Sequence, residues 1–203
     1  MKTIVIALCS AALVVGSCSK SSDPQPVVSS GTELLVNTSV ESGTATPDKW
    51  FPVASNPLGT VYTSDWSTSQ AHTGTHSLKI SADGTNGPNY LFWTQTVPFD
   101  FATMSGKVLT LSFSVKTNKV VTGSGNYGAG IFLNVFDVNN NLVESANSPV
   151  QIGNILGDTE WTSFTVTTKK PLAFDTQHIS VVLALGPTST GSVYFDDISL
   201  KMK

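Results

Sequence analysis

The residues of this chain with chemistry to offer are carboxylates, histidines and aromatic rings. Near the C-terminus Tyr194, Asp196, Ile198 and Leu200 alternate, and a period of two sends Asp196 to the same side as these apolar residues. A carboxylate on such a side needs a partner. The chain has no arginine, which leaves lysine, backbone N–H groups or a cation. A hard cation would suit Glu41 and Asp196, with backbone carbonyls completing six to eight oxygens; hydrogen bonds from backbone N–H groups would satisfy the pair equally. His72 and His76 flank Gly74 with a spacing that aligns two ligands on a helix, yet the segment reads as a turn entering a strand, and no third ligand is near. They are read as turn or surface residues, with His178 equally ordinary.

Catalytic patterns are missing. A glycosidase needs two carboxylates across the scissile bond, and Asp65, Asp83, Asp137, Glu144, Asp158 and Glu160 sit mostly in turns with no pairing on one face. A lyase acting on uronic acids would need Arg or a cation against the substrate carboxylate, with a Tyr or His base. There is no Gly-x-Ser-x-Gly, His-Glu-x-x-His or phosphate loop. The expected protein is not an enzyme.

The elements that must hold these residues are strands. Ser and Thr supply 51 of 203 residues, Gly 16 and Pro 10, a mix that suits short strands and turns. Leu109 to Lys116 alternates strictly, with Leu109, Leu111, Phe113 and Val115 on one side and polar residues on the other. Further strands are expected at Leu34 to Asn37, Ser77 to Ser81, Tyr90 to Val97, Gly130 to Val138, Trp161 to Thr167, Ile179 to Leu185 and Val193 to Leu200, separated by turn chemistry such as Asn139-Asn140-Asn141 and Gly186-Pro187. The whole predicts an all-β jelly-roll sandwich of two antiparallel sheets. Only 12% of the residues are charged, and the formal net charge is −3, so the electrostatic footprint of a nucleic-acid binder is lacking.

The N-terminus reads as an address. Lys2 and the apolar run Ile4 to Val15 form a secretory signal too short to span a bilayer. Val14-Val15-Gly16-Ser17-Cys18 resembles the lipobox of bacterial lipoproteins, which implies cleavage before Cys18, lipidation of its thiol, and acyl chains such as palmitate anchoring the mature chain. Cys9 would leave with the signal, so no disulfide is expected. The organisation is then a signal peptide over 1–17, a lipidated flexible tether over 18–31 that is polar and Pro-bearing, and a sandwich over 32–203. The expected location is the bacterial cell envelope, at the outer membrane, with the side left open.

Several stretches resemble, in order, one family: Asn37 to Gly43, Pro47-Asp48-Lys49-Trp50, Ala71 to Ile80, Gln95-Thr96-Val97, Leu109 to Lys116, Glu160 to Phe164 and Gly191 to Leu200, closing on Asp-Asp-Ile-Ser-Leu. They resemble carbohydrate-binding modules of the family 4, 9 and 22 type, which are galactose-binding-like jelly rolls, over roughly residues 33 to 203. The resemblance implies a structural calcium between Glu41 and Asp196, with backbone oxygens near Gly74 and Ser77 and with Asp197 as a second-choice side chain. It also implies a polysaccharide or oligosaccharide ligand on one sheet. Neutral glycans are bound by aromatic faces with amides and carboxylates on the hydroxyls. Phe132 and Asn134 share the face of their strand opposite the aliphatic Ile131, Leu133 and Val135, and are expected in the groove. In Tyr90 to Val97 either side could face the ligand, Leu91, Trp93, Gln95 and Val97 or Tyr90, Phe92, Thr94 and Thr96; Trp93 and Gln95 are favoured, because an amide among apolar neighbours is costly in a core unless fully bonded. Tyr127 and Trp66 would flank the groove from loops, while Trp50, Trp161 and Phe136 pack inside. The other reading of the same sandwich is an envelope spacer or protein-binding domain without sugar binding.

Overall fold

The computed structural model describes residues 31–54, 62–83, 91–123 and 127–203. Cys18, the signal and most of the expected tether lie outside the described residues.

Ten strands form two antiparallel five-stranded sheets. The strands are β1 Phe51–Ala54, β2 Thr63–Ser67, β3 Ser77–Asp83, β4 Leu91–Pro98, β5 Leu109–Val121, β6 Ala129–Asp137, β7 Leu142–Asn147, β8 Gly157–Thr167, β9 Thr176–Leu185 and β10 Thr190–Met202, with single helical turns α1 Phe101–Met104 and α2 Ser148–Gln151. The first sheet runs β1-β4-β9-β6-β7 and the second β2-β3-β10-β5-β8. This is the jelly-roll sandwich that the alternation implied.

Period-two alternation makes the core. Leu109, Leu111, Phe113 and Val115 of β5, Ile131, Leu133 and Val135 of β6, and Ile179, Val181, Leu183 and Leu185 of β9 are all buried between the sheets. Trp50 joins them at 1% exposure, with its indole N–H donated to the Asn37 carbonyl at 3.1 Å. β1, β2 and β7 are strands that alternation did not reveal. All four residues of β1 are exposed, and Pro52 has no N–H to offer a ladder, which suits an edge strand.

Two expectations change. Leu34 to Asn37 is not a strand: it runs beside β10 through Leu34 N–H to the Leu200 carbonyl at 2.9 Å and a lone bridge between Glu33 and Lys201. Asp196, for its part, does not share a side with Ile198 and Leu200. The register of β10 against β5 shifts between Asp196 and Ser199, and Asp197 takes φ 48°, as in a β-bulge. The extra residue resets the alternation, so Val193, Phe195, Ile198 and Leu200 are all in the core cluster, while Asp196 lies on the outer side under the segment before β3.

Candidate functional site

The outer face of the first sheet can be read from its registers. Successive rows across the sheet are Val53, Phe92, Ala184 and Gly130; then Phe51, Thr94, Val182, Phe132 and Asn147; then Thr96, Ser180, Asn134 and Ser145; then Pro98, His178, Phe136 and Leu142. Among these described residues His178 is the one titratable side chain. Phe92, Tyr127, Phe132, Asn134, Val182 and Ala184 line a shallow cleft of about 270 Å³. Tyr127 and Phe132 meet edge to face, 5.1 Å between centroids and 67° between planes, a favoured aromatic geometry.

Glycines let Tyr127 wall the cleft. A Cβ at Gly130 would lie 2.6 Å from the Tyr127 ring, and one at Gly186 would lie 2.1 Å from the Tyr127 carbonyl oxygen. A side chain at Gly130 would displace the Tyr127 ring, and one at Gly186 would displace the Tyr127 backbone. Tyr127, Phe132 and Asn134 are thus brought together, with Phe92, from the less favoured side of β4, lining the cleft beside them.

Trp93 and Gln95 are not in the cleft. Trp93 is 2% exposed and donates its indole N–H to the Lys79 carbonyl at 3.1 Å. Gln95 faces the same interior, where its amide accepts from Val36 N–H at 2.7 Å and donates to the Val36 carbonyl at 2.9 Å. The core tolerates Gln95, against expectation, because its amide is bonded at both ends to the Val36 backbone. Trp66 sits on β2 of the other sheet, its indole N–H on the Val40 carbonyl at 2.7 Å and its ring stacked on His76 at 4.1 Å. Trp161 is half-buried, with its centroid 5.5 Å from that of His72, and Phe136 lies on the outer face beside His178. Neither packs inside.

Glu41, Asp196 and Asp197 form a second constellation, and the segment His72 to His76 is held by all three. Fully buried Asp196 accepts from the backbone N–H groups of His72 at 2.8 Å and Thr73 at 3.1 Å, and from that of Asp197 at 2.7 Å. Asp197 pairs with the His72 ring and takes the Thr73 hydroxyl at 2.6 Å. One oxygen of Glu41 accepts the N–H groups of Thr75 at 2.9 Å and His76 at 2.7 Å; the other takes the Thr75 hydroxyl at 2.8 Å and lies 3.2 Å from His76 Nδ1. Gly74 turns the segment at φ 64°, where a Cβ would strike the Glu41 carboxyl at 2.5 Å.

Burial raises both carboxyls, but the outcomes differ. For Asp196 burial wins over its backbone hydrogen bonds and pushes the pKa up to about 6. For Glu41 the hydrogen bonds from His76 and Thr75 outweigh burial and hold the pKa down at about 2. As arranged, the carboxylate oxygens face hydrogens, and the Ser77 hydroxyl donates to the Gln70 carbonyl at 2.6 Å. Among the described residues no three His, Cys, Asp or Glu side chains are grouped as a metal site. The arrangement is an amide clamp, and it does not by itself form the oxygen cage that calcium needs.

No family model matches the chain, and neither does any curated protein sequence. Solved structures do. The enzymatically active domain of tailspike protein 4 from bacteriophage CBA120 is similar over 84% of this chain with a TM-score of 0.57 at 11% identity, the match covering 21% of the tailspike chain. A family 61 carbohydrate-binding module solved with β-1,4-galactotriose is similar over 83% of this chain and 97% of its own, with a TM-score of 0.52 at 18% identity. A family 11 module from Clostridium thermocellum, solved with a β-1,3-1,4-mixed-linked tetrasaccharide, matches over 84% of this chain and 95% of its own, with a TM-score of 0.52 at 15% identity. The sandwich fold is shared with carbohydrate-binding modules.

Proposed function

We infer that this chain is a non-catalytic glycan-binding domain carried by a bacterial envelope lipoprotein. The observation that carries the reading is the cleft on the outer face of the first sheet, where Phe92, Phe132 and Tyr127 stand around the amide of Asn134. Rings supply the apolar contact that sugar faces favour and the amide supplies donors and acceptors for hydroxyls. The rows of this face carry no Lys, Asp or Glu, which fits an uncharged polysaccharide better than a uronic acid. Two of the similar structures are modules solved with oligosaccharides, which supports the same reading. The test is a glycan array and an insoluble-polysaccharide pull-down across β-glucans, xylans, mannans, galactans, chitin and host glycans. Retention that Phe132→Ala abolishes supports it, and silence across the panel refutes it.

The lipid anchor at Cys18 belongs to this proposal and rests on the sequence before it; the mass of the N-terminal peptide from membrane-isolated protein decides it. Calcium at Glu41, Asp196 and Asp197, with oxygens near Gly74 and Ser77, is a further part. The support is the convergence of three carboxylates on one turn in a chain without arginine. Binding there requires the amide hydrogens of the turn to give way to oxygens. A melting temperature that rises with calcium and falls with a chelator supports the ion, since a native-state ligand must stabilise; an unchanged one leaves the clamp to its hydrogen bonds.

One observation favours the spacer reading: the outer face of the second sheet carries paired hydroxyls, among them Ser114 with Ser163 at 2.9 Å and Ser81 with Ser192 at 2.8 Å. That face suits packing against another surface more than sugar capture.

A further inference from the structure

Beyond the cleft, the same sheet face carries a second aromatic pair. Phe136 and His178 are register partners on β6 and β9, and their rings lie 4.6 Å apart and 14° from parallel. The ring of half-buried His178 takes no hydrogen bond among the described residues and packs on the Phe136 ring. Rings stacked against each other across two strands stand upright, so the imidazole edge, with one donor and one acceptor nitrogen in its neutral form, is presented rather than covered. Pro98 and Leu142, both exposed, close the row on either side.

Between this pair and the cleft lies a belt of small polar side chains, Thr96, Ser180, Asn134 and Ser145; the Ser180 hydroxyl donates to Thr94 at 3.1 Å and keeps its lone pairs as acceptors. Phe132 and Phe136 are four residues apart on one strand, about 13 Å at the rise of a β-strand, which is roughly the length of two to three linked sugar rings. The backbone of β6 sets that spacing, so a ligand touching both ends must itself be extended.

Resting on the glycan-binding reading, the geometry points to a second sugar subsite at His178, with Phe136 as its positioning residue. An extended, unbranched neutral glycan lies along β6. One ring sits against Phe132 and Tyr127, the hydroxyls of the next meet Asn134 and Ser180, and a hydroxyl farther along bonds the His178 imidazole. The ligand is then a chain of at least three or four units, and affinity grows with length until the second subsite is filled.

Calorimetric titration of the full-length protein with ladders of mixed-linked β-1,3-1,4-gluco-oligosaccharides, xylo-oligosaccharides and β-1,4-galacto-oligosaccharides, from two to six units, tests this. For the parent, affinity should climb at least fivefold between the disaccharide and the tetrasaccharide. His178→Ala should match the parent on disaccharides and lose that gain on longer chains. His178→Gln, which keeps a donor and an acceptor, should recover most of it, and Phe136→Ala should reproduce the His178→Ala profile. Phe132→Ala should lose binding at every length. Equal length profiles for parent and His178→Ala, with Phe132→Ala still inactive, overturn the second subsite and leave glycan binding standing. A parent that binds no member of any ladder overturns both.

Discussion

The two sheets of this sandwich finish their outer faces in opposite ways. On the second sheet, hydroxyls answer one another across strands: Ser114 with Ser163 and Ser81 with Ser192. On the first, one such pair, Thr94 with Ser180 at 3.1 Å, adjoins rings that surround an amide, and an imidazole stands beside a phenyl ring with no side-chain hydrogen bond among the described residues. Both are five-stranded and antiparallel, and the contrast lies in the side chains that point outward. A face whose polar groups are mutually bonded has little left to offer a ligand, whereas rings and unspent hydrogen-bonding capacity are what a hydroxylated ligand requires.

The comparison can be broken from either side of β4. Trp93→Ala, on the inner side, should cost about 3–5 kcal/mol of stability through the cavity it leaves, read from urea denaturation; a loss of glycan binding with stability intact would instead restore Trp93 to a platform role. Asp196→Ala comes next, at about 3 kcal/mol, because three backbone N–H groups lose their acceptor in a buried place. Phe132→Ala, on the outer face, should cost only about 1 kcal/mol of stability, since the ring is half exposed, but tenfold or more in affinity for whichever glycan is retained. Ser163→Ala, on the hydroxyl-paired face, should change stability by about 0.5 kcal/mol and binding not at all.

The clamp adds a pH test, made with a chelator present. The Asp196 carboxyl titrates higher in the folded chain, near 6, than in the unfolded one. Its protonated form is therefore favoured by folding, and its contribution is complete below the unfolded value and lost as pH rises through about 6. Glu41 has the opposite sign: its contribution is present above its ordinary pKa and is lost as pH falls towards about 2. Denaturation midpoints between about pH 5 and 7, above the range where Glu41 contributes a slope, should thus fall with rising pH in the parent, and Asp196→Asn should flatten that fall. A slope unchanged by the substitution would show that Asp196 does not set it.

Strict alternation made β5 and β6 legible, and with them the core and the placement of Phe132 and Asn134. It failed where a second rule intervened. In β4 both sides carry aromatic residues, and the choice turned on Gln95, whose partner Val36 is 59 residues away in sequence. In β10 the bulge at Asp197 shifted the phase, so the carboxylate was correctly expected to be buried, but on the wrong side of the strand. β1, with four exposed residues and a proline, carries no amphipathic signal at all. The glycines at 130 and 186 were a usable clue to Tyr127, because a small residue facing a sheet surface leaves room for something to lie on it.

The Gln95 amide also determines how this domain bears tension. The segment just after Gly31 is bonded to β10 of one sheet through Leu34 and Glu33 and to β4 of the other through Val36. A pull on the N-terminus, such as the proposed lipid anchor would exert, is therefore shared between both sheets at the point of entry. The load runs into two central ladders at once, so detachment of this segment requires several bonds to fail together, and Gln95→Leu should lower the rupture force in single-molecule pulling more than it lowers equilibrium stability.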